Sequence, residues 1–266
     1  MKFLYTMVLL LLVISCRAQK PTVTAQYGSV PDSVLAQWYA YSIDDALNPK
    51  PSEIIDTLWG INPSTQKLEY QTMNGDVYVR AANLLSDWSY TNYYGDSAAV
   101  NNGSYTFQGS YRLWVSLLPQ AQLACTQPGY AGDYPLRLRL QMAFGLPPVP
   151  IKEAGDELVV MELWVRVVDL QRPAADPDPH SNTTSLDLPT AVSPVYRSWF
   201  NYTRAYQYGT KKDPVGTGYP WTQLGYTYDW SPSNPSHVGM SEYVLQPGAH
   251  VYLIGKTAIA QYCTPK

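Results

Sequence analysis

Apolar and polar positions along this chain fall into three kinds of pattern. The first is an almost unbroken apolar run from Phe3 to Ile14, preceded by Met1-Lys2 and followed by Ser15, Cys16, Arg17 and Ala18. A basic start, a short apolar stretch and a small-residue exit describe a secretory signal, and the run is too short for a membrane span of ~20 residues. The second pattern is helical. Pro31 to Leu47 places Val34, Leu35, Trp38, Tyr41 and Leu47 on one face, with Pro49 and Pro51 ending it. Ser52-Glu53 opens a helical turn through Leu58, and short helices are expected over Pro119–Cys125, within Leu136–Phe144 and over Pro194–Tyr206.

The third pattern is that of strands. Lys67–Met73 and Asp76–Leu84 flank Asn74-Gly75, a strong two-residue hairpin signal because both turn positions need positive φ. Alternation marks the Tyr111–Val115 stretch, and Glu157–Val168 reads as a buried strand. Tyr243–Leu245 and His250–Ile254 read as a closing hairpin around Gln246-Pro247-Gly248. Strands and short helices mix without a βαβ rhythm or a repeat, so the expected class is α+β, mainly antiparallel β with short helices, in one compact domain. The expected organisation is a signal over 1–15, a tether over 16–27 and a globular domain over 28–266.

Two cuts of the leader are consistent with the residues. Val13-Ile14-Ser15-Cys16 has the form of a bacterial lipobox, which would make Cys16 a lipidated N-terminus; ordinary cleavage after Ala18 would leave Gln19 first. Export then gives the other two cysteines meaning. Cys125 and Cys263 form an even pair in an oxidising compartment and are expected to be bridged. The expected localisation is extracytoplasmic, in a bacterial envelope or secreted, with membrane contact through the lipid alone.

Charge narrows the partners. Formal charge is −3, with 18 basic and 21 acidic side chains, which argues against nucleic acid. Tyrosine is abundant at 23 residues, beside eight tryptophans. Such side chains offer flat apolar area with a polar handle, suited to an extracytoplasmic glycan, peptide or surface protein. They also suit the interior of strands. Asn102, Asn182 and Asn201 head glycosylation tripeptides that matter only in a eukaryotic source.

The usual catalytic signatures are missing: no Gly-x-Ser-x-Gly, no phosphate loop, no His-Glu-x-x-His and no EF-hand loop. No cofactor or metal is expected; Asp176, Asp178, His180 and Asp187 cluster in a proline-rich loop that reads as a solvated acidic segment. Aromatic density peaks between Tyr219 and Trp230, where Trp221, Tyr226, Tyr228 and Trp230 are candidate ligand-binding residues. Asp229 and Glu242 are candidate acids beside them, relevant to glycoside cleavage if both face one cleft.

The segments Tyr111–Val115, Glu162–Arg166, Asp169–Pro173 and Tyr219–Trp230 (TyrProTrpThr-x-LeuGlyTyrThrTyrAspTrp) resemble an uncharacterised group of exported bacterial proteins, with similarity running from about Asp56 to Cys263. No activity comes with that group. A second resemblance, in order of residues, is to ADP-ribosyltransferases and related NAD-cleaving enzymes, which carry an early-strand Arg, a nicotinamide-stacking aromatic and a late Glu-x-Val-Leu-x-Pro-Gly-like strand. It implies Arg112 as a pyrophosphate holder, Tyr226 or Tyr228 as the aromatic, and Glu242 in SerGluTyrValLeuGlnProGly as the residue stabilising positive charge on ribose. The Ser-Thr-Ser segment of that family is missing, and Met240 stands where many members place a second Glu or Gln. Two functions follow as expectations: a non-catalytic, envelope-anchored binding domain using exposed Tyr and Trp, or an exported enzyme using Glu242 with Arg112 or Asp229.

Overall fold

The Glu157–Val168 pattern becomes the middle of one large antiparallel sheet. The computed structural model describes residues 30–62, 67–95, 102–108, 112–126, 132–148, 156–209 and 218–264. The expected signal, the candidate lipidation residue Cys16 and the expected tether lie outside these residues, as does Tyr111. The described residues form nine strands: β1 Tyr70–Met73, β2 Asp76–Ser86, β3 Ser104–Thr106, β4 Trp114–Leu117, β5 Leu158–Arg166, β6 Leu170–Gln171, β7 Tyr226–Tyr228, β8 Val238–Leu245 and β9 His250–Ala258. Six short helices accompany them: α1 Asp32–Ala46, α2 Asp87–Tyr90, α3 Gln120–Leu123, α4 Asp133–Ala143, α5 Pro194–Gly209 and α6 Ile259–Tyr262. The result is the expected α+β domain, mainly antiparallel β. No helix among the described residues is long and apolar enough to cross a membrane.

Sheet order is β3-β9-β5-β2-β4-β8-β6, with β1 paired to β2 and β7 to β8. The β1–β2 hairpin forms where Asn74-Gly75 predicts it, with φ of 53° and 87° at the two turn residues. Val79, Ala81, Leu163, Val165, Val115, Leu117, Tyr243, Leu245, Val251 and Leu253 fill one face, joined by Tyr90 of α2, Tyr94 of the helical turn that follows it, and Phe107 just after β3. On the other face, Ala82, Leu84, Val160 and Met240 meet α3, α4 and α6. That second layer is stapled by the Cys125–Cys263 disulfide, which links the ends of α3 and α6 across 138 positions. Such a bridge fits an oxidising compartment.

Three expectations are corrected. Helical structure after Pro51 is a single 3-10 turn, Pro51–Glu53, and does not reach Leu58. In α1 the buried face is Leu35, Trp38, Tyr39, Ser42 and Ala46, rotated from the expected stripe because Tyr39 and Ser42 turn inward in place of Tyr41. Leu47, just past the helix end, packs partly buried against the core as expected. The closing hairpin does not exist as a pair: β8 lies between β4 and β6, whereas β9 lies between β3 and β5. In a flat sheet the four strand spacings separating β8 from β9 amount to ~19 Å. Leu245 to His250 covers at most ~18 Å fully extended, and Ala249 N–H turns back onto the Gln246 carbonyl. The sheet must therefore curl around the face that holds Tyr243, Leu245, Ala249 and Val251.

Candidate functional site

Glu242 sits on β8 directly opposite Ser116 of β4, the two being cross-strand partners. Its backbone is held on every side. The Glu242 N–H donates to the Gly225 carbonyl (3.0 Å), and the neighbouring Ser241 N–H donates to Gln120 Oε1 of α3 (3.0 Å). Ser241 Oγ accepts from Trp59 N–H (2.8 Å), and the Tyr243 hydroxyl donates to the Trp59 carbonyl. Gly225 adopts φ 79°, and a Cβ there would lie 2.5 Å from Arg172 Cδ, so the close approach requires glycine.

The side chain opens into a cavity of about 450 Å³. Trp114, Trp221, Tyr228 and Phe144 line it, as do Ser116, Asn83, Gln207 and Arg112. Tyr93 and Tyr219 also border it while remaining 61% and 46% exposed, and so mark its mouth. This is the size and mixture of aromatic wall and few polar groups typical of small-ligand sites.

Among the described residues no hydrogen-bond donor or cation pairs with the Glu242 carboxyl. Burial alone pushes its pKa up to about 8, so it holds its proton at neutral pH. Ser116 Oγ and Gln207 Oε1, both in the same lining, are buried and likewise unpartnered. Arg112 is half-buried and finds no carboxylate among the described residues. One Nη donates to Gln171 Oε1 (3.1 Å), and the guanidinium carbon lies 4.7 Å from the Trp199 ring centroid. Burial lowers its pKa from the ordinary arginine value. Trp199 belongs to a cluster with Trp114 and Trp221, centroids 5.8–6.3 Å apart, which forms a wall behind the guanidinium.

Asp229 is elsewhere. It faces a separate polar pocket and is locked by Arg139 through two bonds of 2.9 and 2.8 Å, by Ser231 N–H (3.1 Å) and by Asn234 Nδ2 (3.0 Å). The two candidate acids therefore do not share a cleft, and the paired-carboxylate idea lacks its geometry.

The four candidate aromatics are buried, 1–4% exposed, and do not form an open platform. Each polar handle is committed. Trp221 Nε1 donates to Pro173 O and Trp230 Nε1 to Leu146 O; the Tyr226 hydroxyl donates to Glu53 O and the Tyr228 hydroxyl to Asp45 Oδ2. Trp221 and Tyr228 nevertheless contribute wall to the Glu242 cavity; Tyr226 borders a different pocket, and Trp230 packs against α1 and α4. Ser116, Gln207 and the mouth residues were not singled out by sequence reasoning. The alternation Arg112, Trp114, Ser116 along one strand path is the signal that could have found the first. Nothing local marks Gln207, which arrives from α5.

Shape and lining thus describe a cavity on a curled antiparallel sheet whose described residues include one acid, Glu242, and one cation, Arg112. Neither a protein-family model, nor a curated protein, nor a solved structure matches the chain. The described residues contain no cluster of three or more His, Cys, Asp or Glu able to hold a metal.

Proposed function

We propose that this is an exported enzyme, anchored to the envelope through Cys16, that uses Glu242 as an acid on a small ligand held by Arg112. One observation carries the reading: the Glu242 carboxyl, unpartnered among the described residues, opens into the same cavity as the Arg112 guanidinium, which meets no described carboxylate. A carboxyl that keeps its proton near neutrality can donate it to a leaving group, a role worth ~10²–10⁴-fold in rate. Hydrolysis of an O-glycosyl bond suits a lone acid beside a cation: the acid protonates the departing oxygen while water adds to the sugar carbon and gives up its proton. Cleavage of a dinucleotide such as NAD, whose nicotinamide departs without needing a proton, would instead call on the ionised Glu242 carboxylate. The single-acid arrangement also favours a second reading, a binding domain without turnover for a glycan end or peptide, since no second carboxylate is among the described lining residues.

The test is hydrolysis of etheno-NAD and of chromogenic glycosides by the wild type and by Glu242→Gln. Turnover of any of these, reduced at least ~100-fold in the variant, supports the enzyme reading. Saturable binding without turnover supports the second, and neither turnover nor binding removes both.

A further inference from the structure

The lining of the cavity says more about its occupant than that it is small. Besides tyrosines, Arg112 and Glu242 are the ionisable side chains among the described lining residues. With Glu242 protonated, the described lining carries one fixed positive charge, Arg112, in a protein whose overall charge is negative. Arg112 has its stacking face occupied by Trp199 and one Nη occupied by Gln171, which leaves guanidinium N–H groups for a ligand. A planar, always-charged fork without a carboxylate is suited to a carboxylate or phosphate.

At the other end the groups are neutral and hungry for hydrogen bonds. Ser116 Oγ is 1% exposed with no partner, and Gln207 Oε1 can only accept. Leaving such atoms unpaired costs ~1–3 kcal/mol each, so an occupant bearing hydroxyls would relieve them, whereas a plain aromatic ring would not. Between the ends stands Trp114, on the same face as Arg112 and Ser116, with Trp221 beside it. Four residues of extended chain separate Arg112 from Ser116 by ~13 Å between Cα atoms, a distance that side chains from both ends close around one ring.

We infer that the cavity is built for a single sugar-sized ring bearing one anionic group, a carboxylate or a phosphate. The anion lies at Arg112, and the ring hydroxyls lie at Ser116, Gln207 and Glu242. This rests on the reading of the cavity as a ligand site but not on turnover.

The experiment titrates the mature protein with glucuronate, glucose 6-phosphate, glucose and glucosamine. Tryptophan emission reports on Trp114 and Trp221 in the wall, and calorimetry confirms affinity. At least one anionic sugar is expected to bind at least ~10-fold tighter than glucose, equivalent to about 1.4 kcal/mol; the carboxylate and phosphate arms identify which anion is preferred. Arg112→Gln should abolish the preference and Arg112→Lys should retain part of it, which separates lost charge from lost fold. Glucose or glucosamine binding as well as both anions overturns the inference, as does an intact preference in a folded Arg112→Gln protein. If neutral sugars bind and anionic ones do not, only the inference fails. If none of the four binds but etheno-NAD or a glycoside is still hydrolysed or bound, the inference falls and the ligand site stands. If those substrates fail too, the ligand-site reading falls with it.

Discussion

Asp229 and Glu242 are two acids of the same C-terminal β region, thirteen positions apart, and they have opposite surroundings. Asp229 receives four hydrogen bonds, two of them from Arg139, and is 2% exposed. Glu242 receives none from the described residues and faces a cavity. The first is a closed polar network of the kind that holds a fold together. The second is a buried acid whose surroundings, among the described residues, do nothing to stabilise its charge. The arginines follow suit. Arg139 is spent on Asp229, and Arg172, fully buried, donates to the Gly225, Ser181 and Asp178 carbonyls and to the Tyr243 hydroxyl. Arg112 alone of the three opens into the Glu242 cavity. For these two acids, then, the pairing of the carboxylate separates their surroundings better than residue type does.

Mutations should separate the two regions. The largest effect is expected for Arg139→Ala, which leaves the Asp229 carboxylate buried without its cation and should cost about 3–5 kcal/mol in urea unfolding. A loss under about 1 kcal/mol would mean that Asp229 is not the structural member of the comparison. Next is the double variant Cys125→Ser, Cys263→Ser. The chain-entropy model for a 138-position loop gives on the order of 5 kcal/mol, and native disulfides typically contribute about 2–5 kcal/mol. Unfolding of the oxidised and reduced wild type, compared side by side, measures the same quantity.

Glu242→Gln should act in the opposite direction. Because its pKa is raised from 4.5 to about 8, the folded state binds a proton more tightly than the unfolded state. Glu242's contribution to stability is therefore fully present below pH 4.5 and is lost as pH rises towards about 8. The loss is at most ~5 kcal/mol. A Gln side chain does not titrate, so the variant should be the more stable protein at alkaline pH, with a flatter dependence across this window. Parallel stability–pH curves for the two proteins would show that Glu242 is solvated like an ordinary carboxylate. Smallest is Ser116→Ala, which deletes an unpartnered hydroxyl. Stability should stay level or rise by up to about 1 kcal/mol while anionic-sugar affinity falls. A clear destabilisation would make Ser116 part of the scaffold.

Much of the frame is legible in the sequence. Asn74-Gly75 specified its own turn, α1 was bounded by Pro31 and Pro49, and β5 declared itself through apolar residues from Leu158 to Val165. Helix α4 was less legible: the Leu/Arg alternation at Leu136–Arg139 imitates a strand, yet Leu138, Leu140 and Met142 are buried in a helix from Asp133 to Ala143. The aromatic run at Tyr219–Trp230 was legible as important but not as interior. Its rings are buried because α1, α4 and α5 close over them, and their polar atoms are taken by carbonyls and a carboxylate contributed from elsewhere in the chain.

By itself the sequence determined most of the local elements, the antiparallel α+β class and the cysteine pair able to bridge. Those depend on φ/ψ preference, periodicity and counting, all of which are properties of neighbours along the chain. Tertiary structure alone decided that β8 and β9 do not pair, that Asp229 is consumed by Arg139, and that Glu242 shares a cavity with Arg112 and Gln207. Desolvation and hydrogen-bond satisfaction are sums over everything that surrounds an atom in space, and no stretch of chain carries that sum.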